Sequence, residues 1–248
     1  MTQTKIFLAG ATGAIGSVLA PLLVDAGYAV YGSTRRAERA GVLEAQGVVP
    51  VVVDVLDAAA LAPALKRIAP HAVIHQLTDL PRDLDPARMA EAVVRNARLR
   101  SEGTRNLVAA ALAAGCQRLI AQSIAWAYAP GPKPWREEQP LDLTAEDPRG
   151  ITVRGVAALE ALTLDTPGLA GTVLRYGQLY GPGTSTATPR GTMPVHVEAA
   201  AWAALMAVQR DARGIYNIAE ESPELSTDKA RRELGWHAAL RWPAEILQ

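Results

Sequence analysis

The chain has 248 residues, 49% of them hydrophobic and 20% charged, and its 25 basic and 25 acidic side chains cancel to a formal net charge of zero. That balance suits one large folded α/β unit with a sizeable core and excludes a disordered or collagen-like chain. No block of Lys and Arg marks a nucleic-acid or anionic-membrane partner, and a lone cysteine, Cys116, excludes an internal disulfide.

Apolar runs alternate with helical stretches. Lys5–Ala9 reads as a first strand, followed by a helix through residues 18–24 that Gly27 ends. Residues 29–33 form a second strand, 37–45 a helix, 48–53 a third strand closed by Asp54, and 59–68 a helix. Ala72–His75 is a short fourth strand. Residues 86–114 carry long helical character ending at Gly115, and 118–122 form a fifth strand. Residues 129–148, rich in Pro, Asp and Glu, read as a loop, with a helix at 152–164 and a strand at 171–174 beyond it. Residues 181–194 form a second loop, followed by a helix at 197–208, a strand at Gly214–Ile218 and a short helix at 227–234. This alternation predicts a Rossmann-type doubly wound, mostly parallel sheet, with ligands at the C-terminal strand ends. The reading divides the chain into a core over residues 1–165 and, in the same structural unit, final core strands plus a small annex over 166–248.

The most informative segment runs from Phe7 to Gly16. An apolar strand ends in Gly10, Gly13 and Gly16, interleaved with Thr12 and Ile15, and a helix follows at once. Gly10 permits a tight turn, Gly13 leaves room for a pyrophosphate, and Gly16 lets helix and strand approach. The helix then offers its N-terminal N–H groups to the anion. At the end of the second strand, where an NAD-specific fold carries an acid for the ribose 2′-hydroxyl, the sequence reads Ser33-Thr34-Arg35-Arg36. Two hydroxyls and two guanidiniums suit a 2′-phosphate, so NADP(H) is preferred and NAD(H) is the alternative.

These motifs, in this order, resemble the extended or atypical branch of the short-chain dehydrogenase/reductase superfamily, the NAD(P)-dependent epimerase/dehydratase-like proteins. The resemblance rests on Gly10-Ala-Thr-Gly13-Ala-Ile-Gly16, Asp54-Val55, the strand ending in His75-Gln76-Leu77-Thr78, Gly103-Thr104-Arg105-Asn106-Leu107, Leu174-Arg175-Tyr176 through Gly183, and Lys229 through Trp236. It implies that Asp54 and Val55 hold the adenine. It also implies that Gln76, Leu77, Thr78 and Gln178 line the dinucleotide.

The family's usual chemistry is missing. Its Tyr-x-x-x-Lys pair cannot exist here, because the residues four before Lys5, Lys66, Lys133 and Lys229 are Met1, Ala62, Ala129 and Leu225. The resemblance puts Thr152 at the Tyr position and Val156 at the Lys position. Ile124 takes the active-hydroxyl slot, with Ser123 one residue early. Tyr128 and Ser123 are therefore the candidate catalytic residues, and Trp126, Arg100 and Tyr176 the candidate substrate contacts. The four histidines lack metal-ligand spacing, so no metal is expected. The leading expectation is an NADP(H)-dependent oxidoreductase acting on a small carbonyl, imine or enone. A catalytically silent dinucleotide sensor or scaffold and an epimerase/dehydratase are the alternatives. A small-molecule substrate, a homodimer as one option for assembly, and a cytoplasmic setting are also expected.

Overall fold

The computed structural model describes residues 3–81 and 83–242; the final stretch of the expected annex, residues 243–248, lies outside the described residues. Seven strands pair in parallel: β1 (Lys5–Ala9), β2 (Ala29–Thr34), β3 (Val49–Val52), β4 (Ala72–His75), β5 (Arg118–Ile124), β6 (Ala170–Tyr176) and, late in the chain, β9 (Gly214–Ile218). Their order is β3-β2-β1-β4-β5-β6-β9, and β7 (Gln178–Tyr180) pairs with β8 (Pro194–His196) in a small separate ribbon. The direction of winding reverses between β1 and β4, which opens a crevice at their C-terminal ends.

Period-two alternation assigns the two faces. In β1, Ile6 and Leu8 face a core shared with α1 (Ala14–Asp25) and α7 (Val197–Gln209), whereas Phe7 and Ala9 face one shared with α3 (Ala58–Ile68) and α5 (Thr104–Ala113). The expected long helix is observed as α4 (Pro86–Arg98), a π-helical turn at Leu99–Gly103, and α5 without a break. The last turn of α4 packs against α6 (Arg149–Leu164), where a Cβ on Gly155 would stand 2.9 Å from Ala97 Cα. The helix expected over residues 37–45 is a 3₁₀ turn at Ala37–Arg39 followed by the short α2 (Ala40–Glu44). Strands β5 and β6 each run two residues further than their apolar runs suggest. Ser123, Arg175 and Tyr176 extend them with polar or aromatic side chains that find partners inside the protein. No helix among the described residues is long and apolar enough to cross a membrane.

Two predictions follow from the packing. A Cβ on Gly16 would lie 2.0 Å from the Gly10 carbonyl oxygen. Gly16→Ala should therefore destabilise the fold by about 1–3 kcal/mol in urea denaturation. His75, at the end of β4, is fully buried. Its Nδ1 accepts from the Leu77 N–H at 3.2 Å, so Nε2–H donates to Thr104 Oγ1 at 3.1 Å. Burial first, and the nearby Arg100 charge second, push its pKa down to about 4. The unfolded chain then binds the extra proton between about pH 6.5 and pH 4, so stability should fall by roughly 2–3 kcal/mol as pH drops through that window. Denaturation of His75→Gln should lack this slope.

Candidate functional site

The glycine turn joins β1 to α1 at the C-terminal edge of the sheet. Gly10 adopts φ +88°, and Gly13 N–H donates to the Gly10 carbonyl at 3.0 Å. Ile15 is buried beneath the turn, Thr12 is half-buried, and Gly13 faces outward. The first turn of α1 has neither a side-chain cap nor an acidic residue, so its N–H groups remain available to an anion. Beside the turn lies a hollow of about 240 Å³ lined by Thr12, Gly13, Ser17, Arg39 and Gln46 among others.

The residues expected around the 2′-phosphate divide into two groups. Ser33 is buried and its Oγ accepts from Gly10 N–H at 3.2 Å, while Thr34 Oγ1 accepts from Arg36 N–H at 3.2 Å. Both hydroxyls shape the backbone from beneath, which differs from the ligand-facing placement expected for them. Arg35 and Arg36 are exposed, and Arg35 lies 3.6 Å from Asp79 in an open ion pair. Arg39 lines the hollow and escaped the sequence reading; its signal was a third guanidinium three residues after Arg36. Asp54 Oδ1 accepts from Leu56 N–H at 2.9 Å, and Asn106 Nδ2 donates to the Val55 carbonyl at 2.9 Å, fixing the loop after β3.

At the β4 end of the crevice, the Gln76 backbone oxygen would sit 2.9 Å from a Cβ on Gly10. Gln76 Nε2 donates to Tyr176 Oη at 3.4 Å, and its Oε1 is sealed from solvent without a partner among the described residues. Such an orphaned polar atom beside a cradle that a Cβ would crowd fits a ligand with amide or hydroxyl donors. A nicotinamide dinucleotide has both. Burial pushes the Tyr176 phenol well above its ordinary pKa. Leu77 packs partly into the core, and Thr78 is exposed beside it. Gln178 differs from expectation: its Oε1 accepts from Met193 N–H at 3.1 Å, tying the amide to the β7–β8 ribbon.

The candidate catalytic hydroxyls are held inside a buried network. Ser123 is in the body of β5 and its Oγ donates to Glu160 Oε1 at 2.7 Å. Glu160 also receives both ends of the Arg175 guanidinium, at 2.9 and 2.6 Å. Tyr128 is 2% exposed and donates to Asn217 Oδ1 at 2.7 Å, with its ring stacked on Trp135 and covered by Arg175. Burial pushes its phenol upward, though Arg175 opposes that shift. Both candidate catalytic hydroxyls are thus buried and bonded within the protein. The reason is packing: β5 continues past its apolar run and carries Ser123 onto the α6 face. Trp126 is half-buried beside this network, and its carbonyl accepts from Arg149. On α6, Val156 is fully buried and Thr152 half-buried. Arg100 stands on the π-helical turn and is almost wholly buried.

Residues 6–206 match the model of the NAD dependent epimerase/dehydratase family. A 3-diazoavenalumate denitrifying reductase from a Streptomyces species is 43% identical over 242 residues, covering 88% of this chain and 77% of that protein. Among solved structures, UDP-glucose 4-epimerase from Thermotoga maritima, in a structure with UDP-glucose, superposes with a TM-score of 0.76 at 18% identity, covering 96% of this chain and 94% of the other. The Brucella ovis UDP-glucose 4-epimerase, in complex with NAD, gives 0.74 at 21% identity over 95% and 94%. The two structures share the fold, while the family model and the reductase establish kinship: this chain belongs to the NAD dependent epimerase/dehydratase family.

Proposed function

We propose that this protein binds a nicotinamide dinucleotide, NADP(H) in preference to NAD(H), and reduces a small diazo-substituted aromatic carboxylate with release of dinitrogen. Gly10, Gly13, Gly16 and the α1 N-terminus would hold the pyrophosphate, and Asp54 the adenine. Arg35, Arg36 and Arg39 would take the 2′-phosphate, with Gln76 near the nicotinamide end. When bound, the reduced dinucleotide supplies a hydride.

The observation that carries this reading is the state of the proton-transfer positions. The sequence holds no Tyr-x-x-x-Lys, and Ser123 and Tyr128 donate their hydroxyls to Glu160 and Asn217. Hydride addition to a carbonyl or imine leaves an anion that a protein group or water must protonate. An arenediazonium makes no such demand. Its C–N bond breaks with the electron pair leaving on dinitrogen, and the hydride pair forms the new C–H bond. The arene carbon is reduced by the hydride, and no proton is consumed. A substrate of this class departs from the carbonyl, imine or enone expected from sequence. The kinship with a denitrifying reductase supports the same choice. The chain's own part is to hold both reactants together and to keep water from the crevice.

The cofactor half is tested by calorimetric titration. Gly13→Val should abolish binding of both dinucleotides without loss of folding. Arg35→Ala with Arg36→Ala should weaken NADP⁺ about tenfold or more while sparing NAD⁺. Equal affinity of the wild type for both cofactors would refute the preference.

The reaction is tested with NADPH deuterated at the transferred position and a diazo-substituted hydroxycinnamate. One dinitrogen should appear per NADPH oxidised, with deuterium on the ring carbon and a rate nearly flat across about pH 6–9. Tyr128→Phe should lose about 1 kcal/mol of stability from its buried hydrogen bond and change kcat less than about twofold. Reduction of cinnamaldehyde with no action on the diazo compound would overturn the proposal.

A further inference from the structure

Of the guanidiniums of Arg35, Arg36 and Arg39, only that of Arg35 is in an ion pair among the described residues: its Nη2 lies 3.6 Å from Asp79 Oδ1. The two residues stand on either side of the glycine turn. Strands β2 and β4 flank β1 in parallel, Arg35 is the first residue after β2, and Asp79 is the fourth after β4. Their side chains therefore meet across the C-terminal end of β1, where Gly10 begins the turn. Asp79 is fixed at this place by its backbone. Its N–H donates to Oδ1 of Asn96 at 2.9 Å, and Asn96 is a buried side chain on α4. The same helix presents Arg95, whose Nε lies 3.5 Å from Asp79 Oδ2. The carboxylate thus holds one guanidinium with each oxygen. Arg95 also reaches Glu91 at 3.5 Å, while Arg98 is bound to Glu102 at 2.6 Å and leaves Asp79 to the other two arginines.

This arrangement makes the Arg35 pair easy to exchange. The side chains of Arg35 and Asp79 are 54% and 29% exposed, and a pair so open to water is weakly held. When Arg35 lets go, Asp79 keeps Arg95, so no carboxylate is left without a cation. A phosphate monoester offers the guanidinium fork more charge than a carboxylate does, and more oxygens. The bare 2′-hydroxyl of NAD(H) offers no charge and leaves Arg35 with Asp79. We infer that Asp79 sets the degree of cofactor preference by competing with the 2′-phosphate for Arg35. It holds NADP(H) affinity below what the free guanidinium would give and leaves NAD(H) affinity alone. Asp79 acts through Arg35 and is a positioning residue. The assignment rests on the function proposed above only for Arg35 as a contact of the 2′-phosphate.

The test is calorimetric titration of NADP⁺ and NAD⁺ into the wild type, Asp79→Asn, Arg35→Ala and the double variant. Asp79→Asn removes the charge, keeps the side-chain shape and leaves the backbone bond to Asn96 in place. It should bind NADP⁺ about threefold more tightly, with NAD⁺ affinity changed less than about twofold. In the Arg35→Ala background the same substitution should leave NADP⁺ affinity unchanged, because there is no guanidinium to release. An equal gain for both cofactors, or a gain that persists without Arg35, shows general relief of repulsion and overturns the assignment. A wild-type preference for NADP⁺ that Asp79→Asn does not alter removes the assignment alone and leaves the proposed function standing. A wild type that binds both cofactors equally, with an NADP⁺ preference that appears in Asp79→Asn and is lost again with Arg35→Ala, removes the stated preference and keeps Asp79 as its regulator.

Discussion

The sealed ion pair between Arg175 and Glu160 organises the half of the molecule in which chemistry would be sought. Its two side chains are 3% and 7% exposed and meet in a bidentate contact, a geometry that offsets the desolvation of both charges. The pair locks β6 to α6. Ser123 joins it from β5, and the Arg175 Nη1 reaches the Glu137 carbonyl in the long loop. Glu137 in turn accepts from Asn217 N–H on β9, and Asn217 takes the Tyr128 hydroxyl. One charge pair thus ties together three strands, a helix and a loop with little apolar content of its own. The hydroxyls drawn into that network gain fixed positions and lose their freedom to exchange protons with a ligand.

The opposite face is built on a different constraint, the near-contact of the glycine turn with α1. The helix starts so close to the strand that Gly16 has no room for a side chain. That closeness aims the first-turn N–H groups over the sheet edge. The reversal of strand order between β1 and β4 leaves the edge open there, and Gln76 brings an unsatisfied polar atom to it. The glycine turn and the Gln76 amide thus meet at the same opening between β1 and β4.

Much of the fold was legible because its signals are local. Lys5–Ala9, Ala72–His75 and Gly214–Ile218 stand as strands where their apolar runs end at Gly, Asp or polar punctuation. The glycine spacing likewise announced its turn, since only residues without a Cβ satisfy both the positive φ and the close approach. Ser33, Thr34 and Gln178 were legible as hydroxyls and an amide near the crevice, but their orientations were not. Whether Ser33 faces a ligand or the Gly10 N–H depends on the register between β2 and the turn.

From its own order of residues, the chain determined a parallel α/β sheet, a phosphate-accepting turn and the absence of a tyrosine–lysine pair, each a matter of composition or short spacing. Only the tertiary structure decided what the remaining polar groups do. Ser123, Tyr128, Glu160, Arg175 and Asn217 are scattered over nearly a hundred positions, and their mutual bonds exist because β5, β6, β9 and α6 converge. Arg100 reads in sequence as a candidate substrate contact on a helix, with nothing in its local pattern to give its depth. Its burial arises where α4, α5 and α6 close over the sheet. The physical reason is that desolvation and charge balance are properties of an assembled neighbourhood, set by contacts that no local pattern contains.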